Sequence, residues 1–339
     1  MEIITGSRFE AFADELTVLF PEYGKSREGL TGFINRLGGE EKVVTASLEL
    51  VDLIAERFRK DVENVLRYSD TGRTLTLKET YELRKYLDFD VRGCFDGEEA
   101  PTSVLFVEGK TDAKFFKGVF KKLYDFKESR SAPRNLKFIE RVFERDNFDL
   151  MRRGDVYLAI IPSEGNSGVI RNLGNFIRAM EVFDFRVQRM GAAVDVDEDR
   201  KGALTSIQGK LSEFETVKGG MGYLLNGTEI VPLIIGLPFE NGLVEWKKPT
   251  VEDLMLHLIE REGLLDRIRP ALEALYNSTG KKLKPKETMY LALAVYGHWG
   301  NLEGFYERFV MRSRFRNLKA ILREAGLMEG LGFLAFQER

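Results

Sequence analysis

Two groups of acidic residues stand out because each follows a short apolar run. Glu108 comes directly after the apolar residues 103–107, and Asp112 follows four positions later. Asp195 and Asp197 lie at the end of a second apolar run, residues 187–196. Alternation along a strand sends Asp195 and Asp197 to the same side. If the two runs are neighbouring strands of one sheet, the four carboxylates converge on one small volume.

Carboxylates gathered in this way predict a metal site. Four of them cannot all stay ionised close together without a cation. Ligand sets made only of oxygen favour hard ions such as Mg²⁺ or Mn²⁺ rather than zinc. Such a site suits phosphoryl transfer or phosphodiester hydrolysis. We therefore predict Mg²⁺ (or Mn²⁺) as the cofactor, held by Glu108, Asp112, Asp195 and Asp197.

Each acidic group also has a structural explanation when it is taken alone. Asp112 suits the negatively charged first turn of a helix. Residues 195–199 suit an exposed acidic turn or a helix cap. The joint placement of both groups, each at the end of a buried strand, favours the metal site over these explanations.

The elements that must position the acids alternate between strands and helices. Four apolar runs are typical of buried parallel strands, and the segments between them show helical spacing. This alternation predicts an α/β fold, with a mostly parallel, Rossmann-like sheet covered by helices on both faces. The functional crevice of such a sheet lies at the carboxyl ends of its strands. The predicted strands are 103–107, 156–161, 187–196 and 230–235, and the helices are 110–123, 169–182 and 200–214.

The chain is predicted to contain three domains. Residues 1–98 form an N-terminal helical domain with an amphipathic helix over 46–66, and residues 99–240 form the α/β domain. Residues 241–339 form a C-terminal helical domain. Its predicted helices are 251–265, 268–276, 285–296 and 302–325.

The acidic motifs resemble the signature of the Toprim family. That signature is a hydrophobic strand ending in Glu-Gly, often with Asp four residues after the Glu, and a later strand ending in Asp-x-Asp. Residues 104–112 and 194–197 are similar to its two halves, and the resemblance covers about residues 102–240. It implies that Glu108 is an acid/base or metal ligand, that Asp195 and Asp197 are paired metal ligands, and that the chemistry is metal-dependent. Asp112 matches an extra acid of the nuclease-like branches, such as the overcoming-lysogenization-defect-type nucleases and the 5S ribosomal RNA maturase.

The turn after the second strand is a candidate phosphate site. Gly165, Asn166 and Ser167 are small or polar residues that lead into a helix. Free backbone amides at a helix N-terminus can bind phosphate. A plain turn without a ligand also explains this stretch.

Basic residues are unevenly distributed, although the formal net charge is −3. An insert at about 125–153 and the segment 281–339 both combine arginine and lysine with phenylalanine, a pairing that suits contact with a nucleic-acid backbone and stacking on bases. Amphipathic helices with buried aromatics give the same pattern. The candidate nucleic-acid-binding residues are Arg130, Arg134, Lys137, Arg312, Arg314 and Arg316.

Several Toprim activities are disfavoured by what the chain lacks. Cys94 is the only cysteine, so the zinc-binding domain typical of bacterial primases is not expected. Gly24-Lys25-Ser26 has Leu19 where a P-loop requires glycine, so no ATPase domain is predicted either. The leading hypothesis is a stand-alone, Mg-dependent Toprim nuclease that hydrolyses DNA or RNA. In it water attacks with Glu108 as the base, while Lys110 or Lys201 neutralises charge on the phosphate.

Two alternatives stay open. One is a non-catalytic nucleic-acid-binding Toprim module, and the other is a primase-like nucleotidyltransferase without a zinc domain. Nucleic acid is the expected partner in each case, and a homodimer is an assembly that the sequence allows. His257 and His298, the only histidines, are expected to be structural.

Composition suggests a cytoplasmic protein without a membrane partner. Hydrophobic residues make up 43% of the chain and charged residues 31%, and we find neither a transmembrane run nor a signal peptide. Glutamine occurs only at 188, 208 and 337, a bias that resembles thermophile usage.

Overall fold

The computed structural model describes residues 44–45, 73–74, 100–133, 136, 148–183, 186–196, 200–214, 216–245, 249–296 and 300–337. Contacts divide the chain into two compact units. The first comprises Met1–Glu99, Pro133–Arg145 and Gly174–Arg186. In it, β1 (Val44–Thr45) and β2 (Arg73–Thr74) pair in parallel. The rest of the predicted helical domain 1–98, including the helix at 46–66, lies outside the described residues.

The second unit, Ala100–Ala132, Asp146–Leu173 and Val187–Arg339, is built around an eight-stranded sheet. Its strand order is β4-β5-β6-β3-β7-β10-β9-β8. The four central strands run parallel, and two short or antiparallel strands extend each edge. The strands are β3 (Thr102–Val107), β4 (Lys127–Glu128), β5 (Asp149–Arg153), β6 (Val156–Pro162), β7 (Arg189–Asp195), β8 (Val217–Lys218), β9 (Tyr223–Leu225) and β10 (Thr228–Ile235).

The predicted α/β class with a mostly parallel sheet is confirmed. The four predicted strands correspond to β3, β6, β7 and β10, which are the central parallel strands. All six residues of β3 are buried, as expected of a strand covered on both faces. The antiparallel strands at the edges were not predicted. Two of them, β4 and β5, fall inside the basic insert that we expected at about 125–153.

Helices flank the sheet and follow it to the end of the chain. Those in the described residues are α1 (Lys110–Tyr124), α2 (Gly165–Phe183), α3 (Arg200–Leu211), α4 (Val251–Arg261), α5 (Leu265–Thr279), α6 (Pro285–Tyr296), α7 (Leu302–Arg312), α8 (Phe315–Glu324) and α9 (Met328–Leu334). The prediction of one continuous helix over 302–325 was wrong. At Ser313 the backbone turns to φ −59° and ψ 160°, which ends α7 before α8 begins.

The C-terminal helices belong to the same compact unit as the sheet. At the amino edge of the sheet, Ser103 Oγ donates a 2.7 Å hydrogen bond to the carbonyl of Leu334 in α9. The Arg189 guanidinium, at the start of β7, donates to the carbonyl of Phe333. The helices after residue 240 share one hydrophobic core with the sheet. That the segments on either side of residue 240 fold as separate domains remains a prediction.

Helix α1 crosses the sheet from its carboxyl edge and packs beside α7. Lys117 and Lys121 of α1 both form ion pairs with Glu307 of α7, and Gly118 lies against Val310. The Lys122 ammonium near the end of α1 also donates to the carbonyl of Met311 near the end of α7, so the C-terminal ends of the two helices lie together. No described helix combines the length and the apolarity needed to cross a membrane.

Candidate carboxylate site

Glu108 and Asp195 meet at the carboxyl ends of neighbouring parallel strands. Glu108 directly follows β3, and Asp195 is the last residue of β7, which pairs with β3. The backbone N–H of Asp195 donates a 2.8 Å hydrogen bond to Glu108 Oε1, across 87 positions of sequence. The two acids therefore lie together as predicted, while their chemical roles remain predictions.

Asp112 joins them from the first turn of α1. Its side chain is only 7% exposed, and its Oδ2 accepts a 2.8 Å hydrogen bond from the backbone N–H of Gly109. Gly109 has φ −147° and ψ 174°, an extended conformation that any residue adopts. This position therefore needs no glycine for a sharp turn of the backbone. Its amide instead fixes the Asp112 carboxyl at the start of the helix.

The carboxyl groups of this site strongly disfavour one another's ionisation. Burial, together with the nearby charges of Glu252 and Glu108, raises the pKa of Asp112 to about 7. Burial and the charges of Asp112 and Glu108 raise the pKa of Asp195 to about 10. Desolvation and like charges both penalise the ionised form. A cation in this position would offset both costs.

One oxygen of Asp195 is unpartnered. Asp195 Oδ1 is buried and makes no hydrogen bond with any described residue. A buried polar atom without a partner costs free energy and calls for an explanation such as an ion or water. The oxygen-only donor set and this orphaned atom therefore fit a bound Mg²⁺ or Mn²⁺, with Glu108, Asp112 and Asp195 as the residues that would hold it.

Two further residues reach this site from the C-terminal helices. Glu252, in the first turn of α4, lies close enough for its charge to raise the pKa values of both Asp112 and Asp195. Tyr306 of α7 is fully buried, and burial followed by the charges of Glu252 and Asp112 raises its pKa well above the ordinary value. The Tyr306 hydroxyl makes no hydrogen bond of standard geometry within the described residues, although Glu252 is nearby. Neither residue was predicted from the sequence.

Asp253, the neighbour of Glu252, has a different role. It is fully buried, and its Oδ1 accepts from the backbone N–H of Phe239 at 2.9 Å. Its Oδ2 accepts from the N–H and hydroxyl of Thr250. This carboxyl caps α4 and ties the chain that leaves β10 to the helix, which places Glu252 at the same edge of the sheet as Asp195.

Some predicted site residues cannot be placed in the cluster. Asp197 lies outside the described residues, and the side chain of Lys201 is likewise not described. Lys110 is exposed at the start of α1. In the part of the chain that the structure describes, no three His, Cys, Asp or Glu side chains are already arranged to hold a metal ion. Ligation by the predicted set therefore stays a prediction.

The predicted phosphate turn begins α2 beside Glu108. Strand β6 ends next to β3, and the backbone N–H of Gly165 donates to the carbonyl of Glu108 at 3.0 Å. Gly165 has φ +74°, in the left-handed region that favours glycine. Because its amide is engaged, Gly165 is a poor phosphate donor. Asn166 and Ser167 lie partly or fully exposed at the same helix N-terminus.

The candidate arginines lie away from the carboxylates. Arg312, Arg314 and Arg316 are exposed around the turn between α7 and α8. The Lys122 ammonium, near the end of α1, donates to the carbonyl of Met311 beside this turn. Ten residues of helix separate Lys122 from Asp112, which corresponds to about 15 Å. Arg130 is also exposed, whereas Arg134 and Lys137 lie outside the described residues.

The histidine that the structure describes has a structural environment. A ring nitrogen of His257, Nε2, lies 2.9 Å from the carbonyl of Pro238, and the ring packs edge-on against Phe239. His298 lies outside the described residues.

Fold and site together define an α/β protein that gathers buried carboxylates at the carboxyl edge of a mostly parallel sheet. Residues 102–325 match the family described as "Protein of unknown function (DUF3226)", and the chain belongs to that family. The matched segment contains Glu108, Asp112, Asp195 and Glu252, together with Tyr306.

Two proteins have similarity to this chain. "Uncharacterized protein MJECL12" of Methanocaldococcus jannaschii is 25% identical over 217 residues, which is 61% of this chain and 88% of that protein. The crystal structure of the hypothetical protein PH0156 from Pyrococcus horikoshii OT3 superposes with a TM-score of 0.59. It is 24% identical and covers 69% of this chain and 99% of its own. The second likeness shows a shared fold.

Proposed function

We propose that this protein is a divalent-metal-dependent nuclease with a Toprim-like catalytic domain, hydrolysing phosphodiester bonds of DNA or RNA. The observation that carries the proposal is the meeting of Glu108, Asp112 and Asp195 at one edge of the sheet, with the Asp195 amide bound to Glu108. The sequence resemblance to Toprim motifs supports the same reading of these acids.

The acidic residues would divide the work of such a reaction. Glu108, Asp112 and Asp195, with Asp197 close in sequence, would hold Mg²⁺ or Mn²⁺. When bound, such an ion stabilises negative charge on the phosphate oxygens and lowers the pKa of water. Glu108 accepts the proton of the attacking water, and the hydrogen bond from the Asp195 amide orients its carboxylate for that role. Lys110, exposed at the start of α1, neutralises charge on the phosphate.

Metal-titrated digestion tests this function directly. The full chain is incubated with single- and double-stranded DNA and RNA, with Mg²⁺ or Mn²⁺ or with a chelator. We expect metal-dependent products from the wild type and a loss of about 100-fold or more in Asp195→Ala, because several kcal/mol of charge stabilisation disappear. Asp266→Ala, which removes an exposed aspartate of α5, is the control and should cleave normally.

The other outcomes separate the alternatives. Retained nucleic-acid binding without products, at every metal concentration, favours the non-catalytic binding module. The remote, exposed arginines of the α7–α8 turn suit that alternative equally well. Incorporation of labelled nucleotides on a bare template would instead indicate a primase-like nucleotidyltransferase.

A further inference from the structure

Residues of the C-terminal helices lie near the carboxylate site, although they do not belong to the acidic strand motifs. Strand β10 ends beside β7, with Ile235 paired to Asp195, and the Val196 amide donates to the Ile235 carbonyl at 3.1 Å. The chain then turns through Phe239, whose amide is held by Asp253 of α4. The N-terminus of α4 is therefore anchored at the carboxyl edge of the sheet, close to Asp195.

Helix α7 brings a second group to the same place. Its Val310 lies against Gly118 of α1, and the Lys122 ammonium near the end of α1 donates to the carbonyl of Met311 near the end of α7. Tyr306, one turn before Val310, lies in the first half of α7, and Asp112 lies in the first turn of α1. The Tyr306 hydroxyl is completely buried and makes no hydrogen bond of standard geometry in the described part of the chain, and burial together with the charges of Glu252 and Asp112 raises its pKa.

We propose that Glu252 is a further ligand of the divalent cation and that Tyr306 is a positioning residue whose hydroxyl holds the Glu252 carboxylate. This inference rests on the proposed metal site and extends it beyond the strand motifs. A carboxylate close to other buried acids is repelled by them unless a cation lies between them. A buried hydroxyl beside that carboxylate has a donor to offer, and groups that orient a ligand in this way tune metal affinity.

The structural explanation of Glu252 as a favourable charge at a helix N-terminus does not account for the whole arrangement. Asp253 already caps α4 through its two hydrogen bonds from Thr250, and a third bond holds the Phe239 amide. Glu252 adds a negative charge that acts on Asp112 and Asp195, which costs folding free energy without a cation. The unpartnered hydroxyl of Tyr306 is a second cost in the same volume. A bound cation relieves the first cost directly, and it fixes a carboxylate to which the hydroxyl can donate.

Manganese binding by the full chain tests the inference without relying on cleavage. Binding is measured calorimetrically and by the electron paramagnetic resonance signal of Mn²⁺ for the wild type, Glu252→Gln and Tyr306→Phe. We expect Glu252→Gln to weaken Mn²⁺ binding at least about tenfold and Tyr306→Phe to weaken it about tenfold, the scale of losing an orienting partner. Both variants should change the spectrum of bound Mn²⁺, which a merely structural role would leave unchanged.

Matched controls come from exposed positions of the C-terminal helices. Glu260→Gln removes an exposed carboxylate from the other end of α4, and Tyr276→Phe removes an exposed hydroxyl from α5. Both should bind Mn²⁺ like the wild type. Near-ultraviolet circular dichroism of each variant establishes that it is folded. If Glu252→Gln is unfolded, Glu252→Asp replaces it, and a shortened carboxylate should still weaken binding and alter the spectrum.

The possible failures are distinguishable. Wild-type affinity and an unchanged spectrum in Glu252→Gln would overturn this inference while leaving the proposed nuclease intact. An absence of Mn²⁺ binding in the wild type would overturn both. Metal binding that depends on Glu252, without cleavage of any nucleic acid, would support this inference and count against the nuclease.

Discussion

At the scale of single residues, Asp112 connects the electrostatics of the site to measurable stability. Its pKa is raised from 3.8 to about 7, chiefly by burial and then by Glu252 and Glu108. The folded protein therefore holds a proton that the unfolded chain releases above about pH 4. Because proton binding is thermodynamically linked to folding, the contribution of Asp112 to the free energy of unfolding must fall as the pH rises from about 4 to about 7.

Asp112→Asn should remove this pH dependence. The neutral amide keeps an oxygen for the Gly109 N–H and carries no charge. In a metal-free buffer, the variant should equal or fall below the wild type in stability at pH 4. Its free energy of unfolding should gain on that of the wild type by about 4 kcal/mol by pH 8, because each pKa unit corresponds to about 1.4 kcal/mol. Urea unfolding across this pH range measures the difference.

The control for this prediction is Asp266→Asn, at an exposed position of α5. Its stability curve should run parallel to that of the wild type. Adding Mn²⁺ should stabilise the wild type more than Asp112→Asn, because the variant lacks the charge that attracts the ion. A constant difference between Asp112→Asn and the wild type from pH 4 to pH 8 would contradict the raised pKa.

At the scale of elements, a buried ion-pair cluster joins α1 to β5 and α7. Lys117 is only 7% exposed and lies 2.8 Å from Asp149 and 3.6 Å from Glu307. Burial alone would lower the pKa of Lys117, but Asp149, followed by Glu307 and Glu128, raises it above the ordinary value. This cluster couples the helix that carries Asp112 to the strand and the helix beside it.

Lys117→Met should destabilise the fold substantially. The variant loses a buried charge-assisted hydrogen bond to Asp149, which contributes about 1.5–3 kcal/mol, while Lys114 still pairs with that carboxylate. Lys114→Met is the matched control, because Lys114 binds the same Asp149 but is 28% exposed. We expect the control to lose less than half as much stability in urea unfolding. Equal losses would show that burial of Lys117 does not determine the energetics of this cluster.

The elements also show where sequence patterns are informative. The central strands were predictable because continuous apolar runs mark strands that are buried on both faces. Strand β5 was missed because its residues Asp149, Arg152 and Arg153 are polar, and its pairing with β6 is a tertiary property. The break at Ser313 was missed because helical spacing continues on both sides of it, in α7 and α8.

At the scale of the whole molecule, the site combines sequence motifs with residues that only the fold brings close. Glu108, Asp112 and Asp195 were predictable because each is at the end of a recognisable apolar strand or the start of the following helix. Glu252 and Tyr306 belong to helices with ordinary amphipathic patterns, so nothing local distinguishes them. Their proximity depends on how α4 and α7 pack against α1 and the sheet. A capping pair at Thr250 and Asp253 was the available signal that α4 begins there.

The distance between the exposed arginines and the carboxylate site is relevant to the proposed nucleic-acid substrate. The exposed arginines of the α7–α8 turn lie about 15 Å along α1 from the carboxylates, which corresponds to four or five base pairs of a duplex. Phe315, 52% exposed, lies among them, with the Lys319 ammonium over its ring. On the proposed function, this turn would contact the backbone of a strand whose scissile bond lies at the carboxylates.

Replacing both Arg312 and Arg316 with alanine should therefore weaken nucleic-acid binding and make it less dependent on salt. Each lost phosphate contact lowers the slope of log K against log salt by about 0.7 for a single strand and about 0.9 for a duplex. The double variant should thus lose about 1.4 or 1.8 from that slope and retain wild-type Mn²⁺ affinity. Fluorescence anisotropy over a salt series measures the slope.

The control is a second double variant, Arg267→Ala with Arg269→Ala, at exposed positions of α5. It removes the same charge elsewhere and should leave the slope unchanged. Equal slopes in both double variants would mean that the slope depends only on the net charge of the protein. Nucleic acid would then not contact the α7–α8 turn.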